Sequence, residues 1–131
     1  VEDLSDISAL EEALDGSAAV LVFISLGYFQ SRNAMRELLR TVTTGKTLVA
    51  VAEREGAHGG MTDDEARVQC LASAASYGKW GFAPSSPPAE ALADALLRVD
   101  DPPIAYERVG AFQQTMLRLV LQRLVRSYNP A

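Results

Sequence analysis

The sequence predicts an α/β fold, a parallel sheet layered between helices, and three observations carry that expectation. The segment Ala18-Ala-Val-Leu-Val-Phe-Ile-Ser25 is an unbroken apolar run, and after a short aromatic loop the amphipathic stretch Ser31 to Leu39 follows it. A second β-branched, apolar segment runs from Thr47 to Ala52. A strand apolar on both faces has to be covered on both sides, as in the interior of a parallel sheet flanked by helices. Strand and helix alternate with no internal repeat, which implies crossover connections between parallel strands.

Taken in order, Asp6 can cap a short helix whose apolar positions Ile7, Leu10 and Leu14 follow helical spacing, with Gly16 as its stop. The strand at 18–25 comes next. Ser31 caps a helix with the stripe Met35, Leu38, Leu39 and Val42, and Gly45 ends it. The second strand, 47–52, leads into a polar, glycine-rich stretch from Glu53 to Gly60 that reads as a flexible loop. Thr62-Asp-Asp-Glu65 is a capping box, opening a helix that carries Ala66, Cys70 and Leu71 and fades by Gly78. The stretch between Tyr77 and Pro88, a mixture of aromatics, prolines, glycines and serines, is the least predictable part of the chain. A helix follows from Pro88 to about Val99, Asp101-Pro-Pro103 breaks it, and Ile104-Ala-Tyr106 suits a short edge strand. The closing helix, Gly110 to Ser127, has an unusually wide apolar face: Phe112, Met116, Leu117, Leu119, Val120, Leu121, Leu124 and Val125. It should be largely buried, or should bury part of itself in a partner.

With 131 residues and 48% hydrophobic content, the chain has the size and composition of a single globular domain, 1–131. It opens Val1-Glu-Asp-Leu4 without methionine, so it is expected to be cut from something longer. Seventeen acids against twelve bases give a net charge of −5, the wrong sign for neutralising phosphates, so no nucleic-acid partner is expected. Acids crowd the N-terminus, from Asp3 to Asp15, while Arg118, Arg123 and Arg126 sit in the last helix. That asymmetry is either ordinary helix surface charge or a docking face. No apolar run approaches the roughly 20 residues of a membrane-spanning helix, and no leader segment opens the chain. A soluble, cytoplasmic domain without membrane contact by this segment is expected, and the single Cys70 suits a reducing compartment.

Standard phosphate-binding motifs are absent from the sequence, since neither G-x-G-x-x-G nor G-x-x-x-x-G-K-[ST] occurs. His58 is the only histidine and Cys70 the only thiol, twelve residues apart, so no metal site is expected and a Ser-His-Asp arrangement has little support. His58 reads as a solvated loop residue and Cys70 as a small core residue. Ligands and catalytic groups of open α/β sheets gather beyond the carboxyl ends of the strands, which here means Gly27 to Glu37. Glu37 falls at the border of the buried face, beside Leu38-Leu39. Its carboxylate is either a partly desolvated acid, base or cation stabiliser, or a surface group paired with Arg36 or Arg40. Tyr28 and Phe29, and likewise Trp80 and Phe82, are either core plugs or stacking surfaces.

From Val20 to Leu38 the chain resembles the Toll/interleukin receptor (TIR) domain family, in which a strand ends in serine, an aromatic follows, and S-x-W-C-x-x-E-L opens a helix. Ser25, Tyr28, Ser31, Glu37 and Leu38 match that pattern. The likeness extends to Val1–Leu14 as the end of the second strand and the second helix. It also takes in Gly45–Cys70 as the fourth strand and its glycine-containing loop, and Tyr106–Val120 as the closing helix. More narrowly, V-E-D-L-S-D-I, G-Y-F-x-S-R-N and F-Q-x-x-x-L-R resemble the divergent TIR-like domains of algae and other protists. Asn33 and Ala34 stand where the family has tryptophan and cysteine. The family's first strand and helix have no counterpart in this sequence.

The resemblance implies a flavodoxin-like three-layer αβα fold with a parallel sheet, lacking that first strand and helix. It also implies one of two functions. TIR domains act as signalling and assembly modules that self-associate or recruit other TIR domains, or as enzymes that cleave the nicotinamide–ribose bond of NAD. In the enzymes the glutamate equivalent to Glu37 is catalytic and stabilises a positively charged transition state, which needs no cofactor or metal, NAD being the substrate. Ser25, Tyr28 and Ser31 would then contact substrate. Assembly is the leading expectation and NAD hydrolysis the alternative. A flavodoxin-like domain with an unrelated small ligand is the third, because fold alone does not set function.

Overall fold

The structure is a computed structural model that describes residues 19–128. The helix expected from Asp6, and the resemblance of Val1–Leu14 to a strand and helix, lie outside the described residues.

Three parallel strands form the described sheet in the order β1 (Ala19–Ile24), β2 (Thr47–Ala52) and β3 (Ile104–Ala105). The register pairs Ala19 with Thr47 and Ile24 with Ala52, then Val51 with Ile104. Helix α1 (Arg32–Thr43) connects β1 to β2. Helices α2 (Asp63–Ala72), α3 (Tyr77–Trp80) and α4 (Ala89–Leu96) lie between β2 and β3, and α5 (Gly110–Tyr128) closes the chain. The fold is therefore mixed α/β with a parallel sheet.

Period-two alternation along β2 divides the core. Ala50 and Ala52 face a cluster built from Met35, Leu38, Leu92 and Leu96, whereas Val49 and Val51 meet Ile104, Met116 and Val120. Helices α1, α2 and α4 thus cover one face and α5 the other. Ser31 caps α1 as expected, its Oγ accepting from the Ala34 N–H at 3.2 Å, and Gly45 adopts φ 68° just past the helix. The capping box of α2 is also present, with Thr62 N–H donating to Glu65 Oε1 at 2.9 Å and Glu65 N–H donating to Thr62 Oγ1 at 3.1 Å.

Three expectations need correction. First, β1 is not covered on both faces: Val22 and Ile24 are buried against α1, but Leu21 is 55% exposed and Phe23 42% exposed. Among the described residues β1 is the margin of the sheet, and α5 lies over β2 and β3. Second, of the two alternatives expected for α5, burial within this chain is the one that fails: α5 is not largely buried. Met116 and Val120 enter the core, while Phe112, Leu117, Leu119, Leu121 and Val125 are exposed.

Third, the Glu53–Gly60 segment is pinned rather than free. Gly60 N–H donates to the Glu55 carbonyl at 2.7 Å, Met61 N–H to the Glu53 carbonyl at 3.2 Å, and Leu26 N–H to the Gly59 carbonyl at 2.8 Å. The loop folds back so closely that a Cβ on Gly60 would lie 2.3 Å from the Arg54 carbonyl carbon. Glycine is needed there for contact, not for mobility.

Leu38 is fully buried, so Leu38→Ala should lower unfolding free energy by about 2–5 kcal/mol in urea titrations. Leu21→Ala, on the uncovered face, should change it by no more than about 0.5 kcal/mol.

Candidate functional site

All three strands point their carboxyl ends to one side, and the chain leaving each strand there supplies the candidate groups. After β1, Gly27 turns with φ 90° into a single 3-10 turn, Tyr28–Gln30. The Ser25 carbonyl accepts from the Tyr28 N–H at 3.0 Å. Phe29 is a core plug, 2% exposed, and its ring meets Tyr28 edge-on with centroids 5.2 Å apart.

Tyr28 and Ser31 converge on one residue, Ala34. The Tyr28 hydroxyl donates to the Ala34 carbonyl at 3.5 Å, and Ser31 Oγ accepts from the Ala34 N–H. Both hydroxyls therefore shape the first turn of α1. Burial pushes the Tyr28 phenol above its ordinary range, and the nearby Glu37 charge adds to that shift. Glu37 is half-buried on α1, and its carbonyl accepts from Thr41 Oγ1 at 2.8 Å. Tyr28 and Glu37 are thus electrostatic neighbours, whereas Ser25 enters the turn through its backbone.

A second cluster, unremarked in the sequence, lies beyond β2 and β3. Glu53 directly follows β2 and is 1% exposed. Its Oε1 pairs with the Arg108 guanidinium, and Oε2 accepts from the N–H groups of Arg54 at 3.1 Å and Glu55 at 3.3 Å. Arg108 also reaches Glu55 at 3.4 Å and lies 5.0 Å from the Tyr106 ring centroid, and that ring packs edge-on against Phe23 at 5.1 Å. One chain of contacts, Phe23 to Tyr106 to Arg108 to Glu53, thereby ties the three strand ends together.

The Arg108 hydrogen bond, helped by the two N–H donors, holds the Glu53 carboxyl down to about 2, against an ordinary 4.5. A carboxylate so fully engaged stays ionised and is a poor proton carrier near neutral pH. Its role is structural. The signal that could have found Glu53 was its place at the exit of an apolar strand; its partner, far along the chain, has no local pattern.

His58 sits in the pinned loop, half exposed, 3.4 Å from Glu55. Cys70 is buried, and burial pushes its thiol up to about 11. Among the described residues no three histidine, cysteine or carboxylate side chains gather as a metal site, and no helix is long and apolar enough to cross a membrane. Compared with known proteins, the chain finds no match among family models, curated proteins or solved structures.

Because the Glu53 carboxyl is depressed in the folded state, its contribution to stability is present above pH 4.5 and is lost as pH falls toward 2. Thermal melts from pH 7 downward should show this acid limb, and Glu53→Gln should flatten it while lowering stability at neutral pH.

Proposed function

We propose that the chain is a TIR-like assembly module that self-associates, or recruits other TIR domains, through the apolar face shared by β1 and α5. The single observation that carries this reading is the uncovered side of β1. Leu21 and Phe23 share the sheet face on which α5 lies, and the helix leaves them exposed. Helical geometry puts Leu117, Leu121 and Val125 on one flank of α5, away from the flank of Phe112 and Leu119 that lines the β3 side. Exposed apolar side chains such as these, on β1 and α5, are the material of interaction sites in soluble proteins, and the resemblance at Ser25, Tyr28, Ser31, Glu37 and Leu38 supplies the class of partner.

A second reading rests on a different observation, the Glu37 charge close to the half-buried Tyr28 phenol just beyond β1. In this reading the domain hydrolyses NAD, with the Glu37 carboxylate stabilising the developing ribosyl cation. Ser25, Tyr28 and Ser31 would then border the substrate.

Light scattering across a concentration series should show mass rising with concentration, and Leu21→Lys should suppress the rise without changing the melt. A strictly monomeric protein that also binds no TIR domain would remove the assembly reading. Incubation of the full-length protein with NAD tests the other: nicotinamide release should vanish in Glu37→Gln and decline once acid protonates the carboxylate. Release unaffected by that substitution rules it out.

A further inference from the structure

Strand β1 leaves more than apolar side chains uncovered. The Ile24 carbonyl accepts from the Glu53 N–H at 2.9 Å, and successive residues of a strand turn their peptide groups to opposite sides. Val20, Val22 and Ile24 therefore direct N–H and C=O toward β2. Ala19, Leu21 and Phe23 direct theirs the other way, to the side on which the described sheet has no further strand. Leu21 and Phe23, the residues whose side chains are exposed, thus carry outward backbone groups as well.

A row of outward N–H and C=O groups is a template for another strand, and edges are ordinarily blunted by charge, proline, a bulge or brevity. The β3 edge is blunted, being two residues long. Strand β1 runs for six residues in unbroken register and contains no charge, proline or glycine. Charge also says where two copies can meet. Each carries a net charge of −5, so like chains repel over most of their surface, but no charged residue occurs between Asp15 and Arg32.

We propose that β1 pairs antiparallel with β1 of a second copy, joining the two three-stranded sheets into one. The inference rests on the assembly reading and specifies its partner and geometry. Outward residues must face outward residues, which fixes the parity of the register. With Leu21 on the two-fold axis opposite its own copy, Ala19 stands opposite Phe23 of the second copy, and every outward N–H and C=O of both strands is paired. The Phe23 ring lies across from an alanine, where it has room, and Leu21 and Phe23 of both copies share one face of the joined sheet.

Residue-resolved amide exchange, followed by NMR on the full chain across a concentration series, tests this. The N–H groups of Val22 and Ile24, directed to β2, should be protected at every concentration, whereas those of Leu21 and Phe23 should exchange fast when dilute and slow progressively as the dimer fills. In dimers mixed from labelled and unlabelled chains, the Val20 Hα should contact the Val22 Hα of the second copy, a non-hydrogen-bonded pair in this register. Leu21→Pro removes an outward donor without touching the β2 ladder and should weaken dimerisation about tenfold or more; Leu21→Val, which keeps the donor, should preserve it. The exchange readout uses the unaltered chain and needs no variant to fold. Self-association with Leu21 and Phe23 exchange unchanged, no contact between Val20 and Val22 of the two copies, or a Leu21→Pro chain that dimerises as the unaltered one does overturns the strand pairing and leaves the assembly reading standing. A chain monomeric at every concentration removes both.

Discussion

The structure depends on β2 being covered on both faces. It is the only described strand with a neighbour on either side, and four consecutive residues, Val49 to Ala52, are buried. Its two faces differ in size. The alanines at 50 and 52 leave room for the large side chains that α1 and α4 bring, Met35, Leu38, Leu92 and Leu96. The valines at 49 and 51 supply the bulk themselves, so α5 needs only Met116 and Val120 to complete that layer. Alternating small and large residues along one strand thus decides which helices pack on which side.

Covering β2 so completely has an electrostatic consequence at its exit. The residue after the strand is Glu53, which inherits the burial of the strand it follows. A carboxylate there must be paired and hydrogen-bonded to remain charged. Arg108 provides the pairing, and because Arg108 lies two residues before α5, the ion pair also sets where α5 begins. The same guanidinium rests near Tyr106, whose ring leans on Phe23. The start of the covering helix is therefore placed over β2 and β3, and among the described residues β1 is left at the margin, with Leu21 exposed and Phe23 touched on one side by Tyr106.

Much of this was legible in the sequence because it is local. The stripe of α1 with its Ser31 cap, the capping box of α2 and the limits of β2 each follow from neighbours a few residues apart. What was not legible depends on distant partners. An apolar run such as 18–25 says that a strand prefers burial, but whether a helix of the same chain reaches its outer face depends on where Arg108 anchors that helix. The wide apolar face of α5 was visible for the same reason that its exposure was not. The Glu53–Gly60 loop misled through composition: its glycines read as freedom, and Gly60 instead permits a close crossing held by the backbone of Glu53 and Glu55.

The two carboxylates near the strand ends illustrate how environment separates identical side chains. Glu53 is saturated by a guanidinium and two N–H groups, so its charge is consumed in holding three strand ends together. Glu37 lies one helix turn past Ala34, whose carbonyl and N–H are engaged by Tyr28 and Ser31, and its charge bears on the half-buried Tyr28 phenol. Sequence reasoning selected Glu37 because it follows a strand and borders an apolar face, and the same reasoning applied to β2 selects Glu53. Strand-exit position alone therefore assigns no role; for Glu53 it is the guanidinium and the two N–H groups committed to its carboxylate that make it structural.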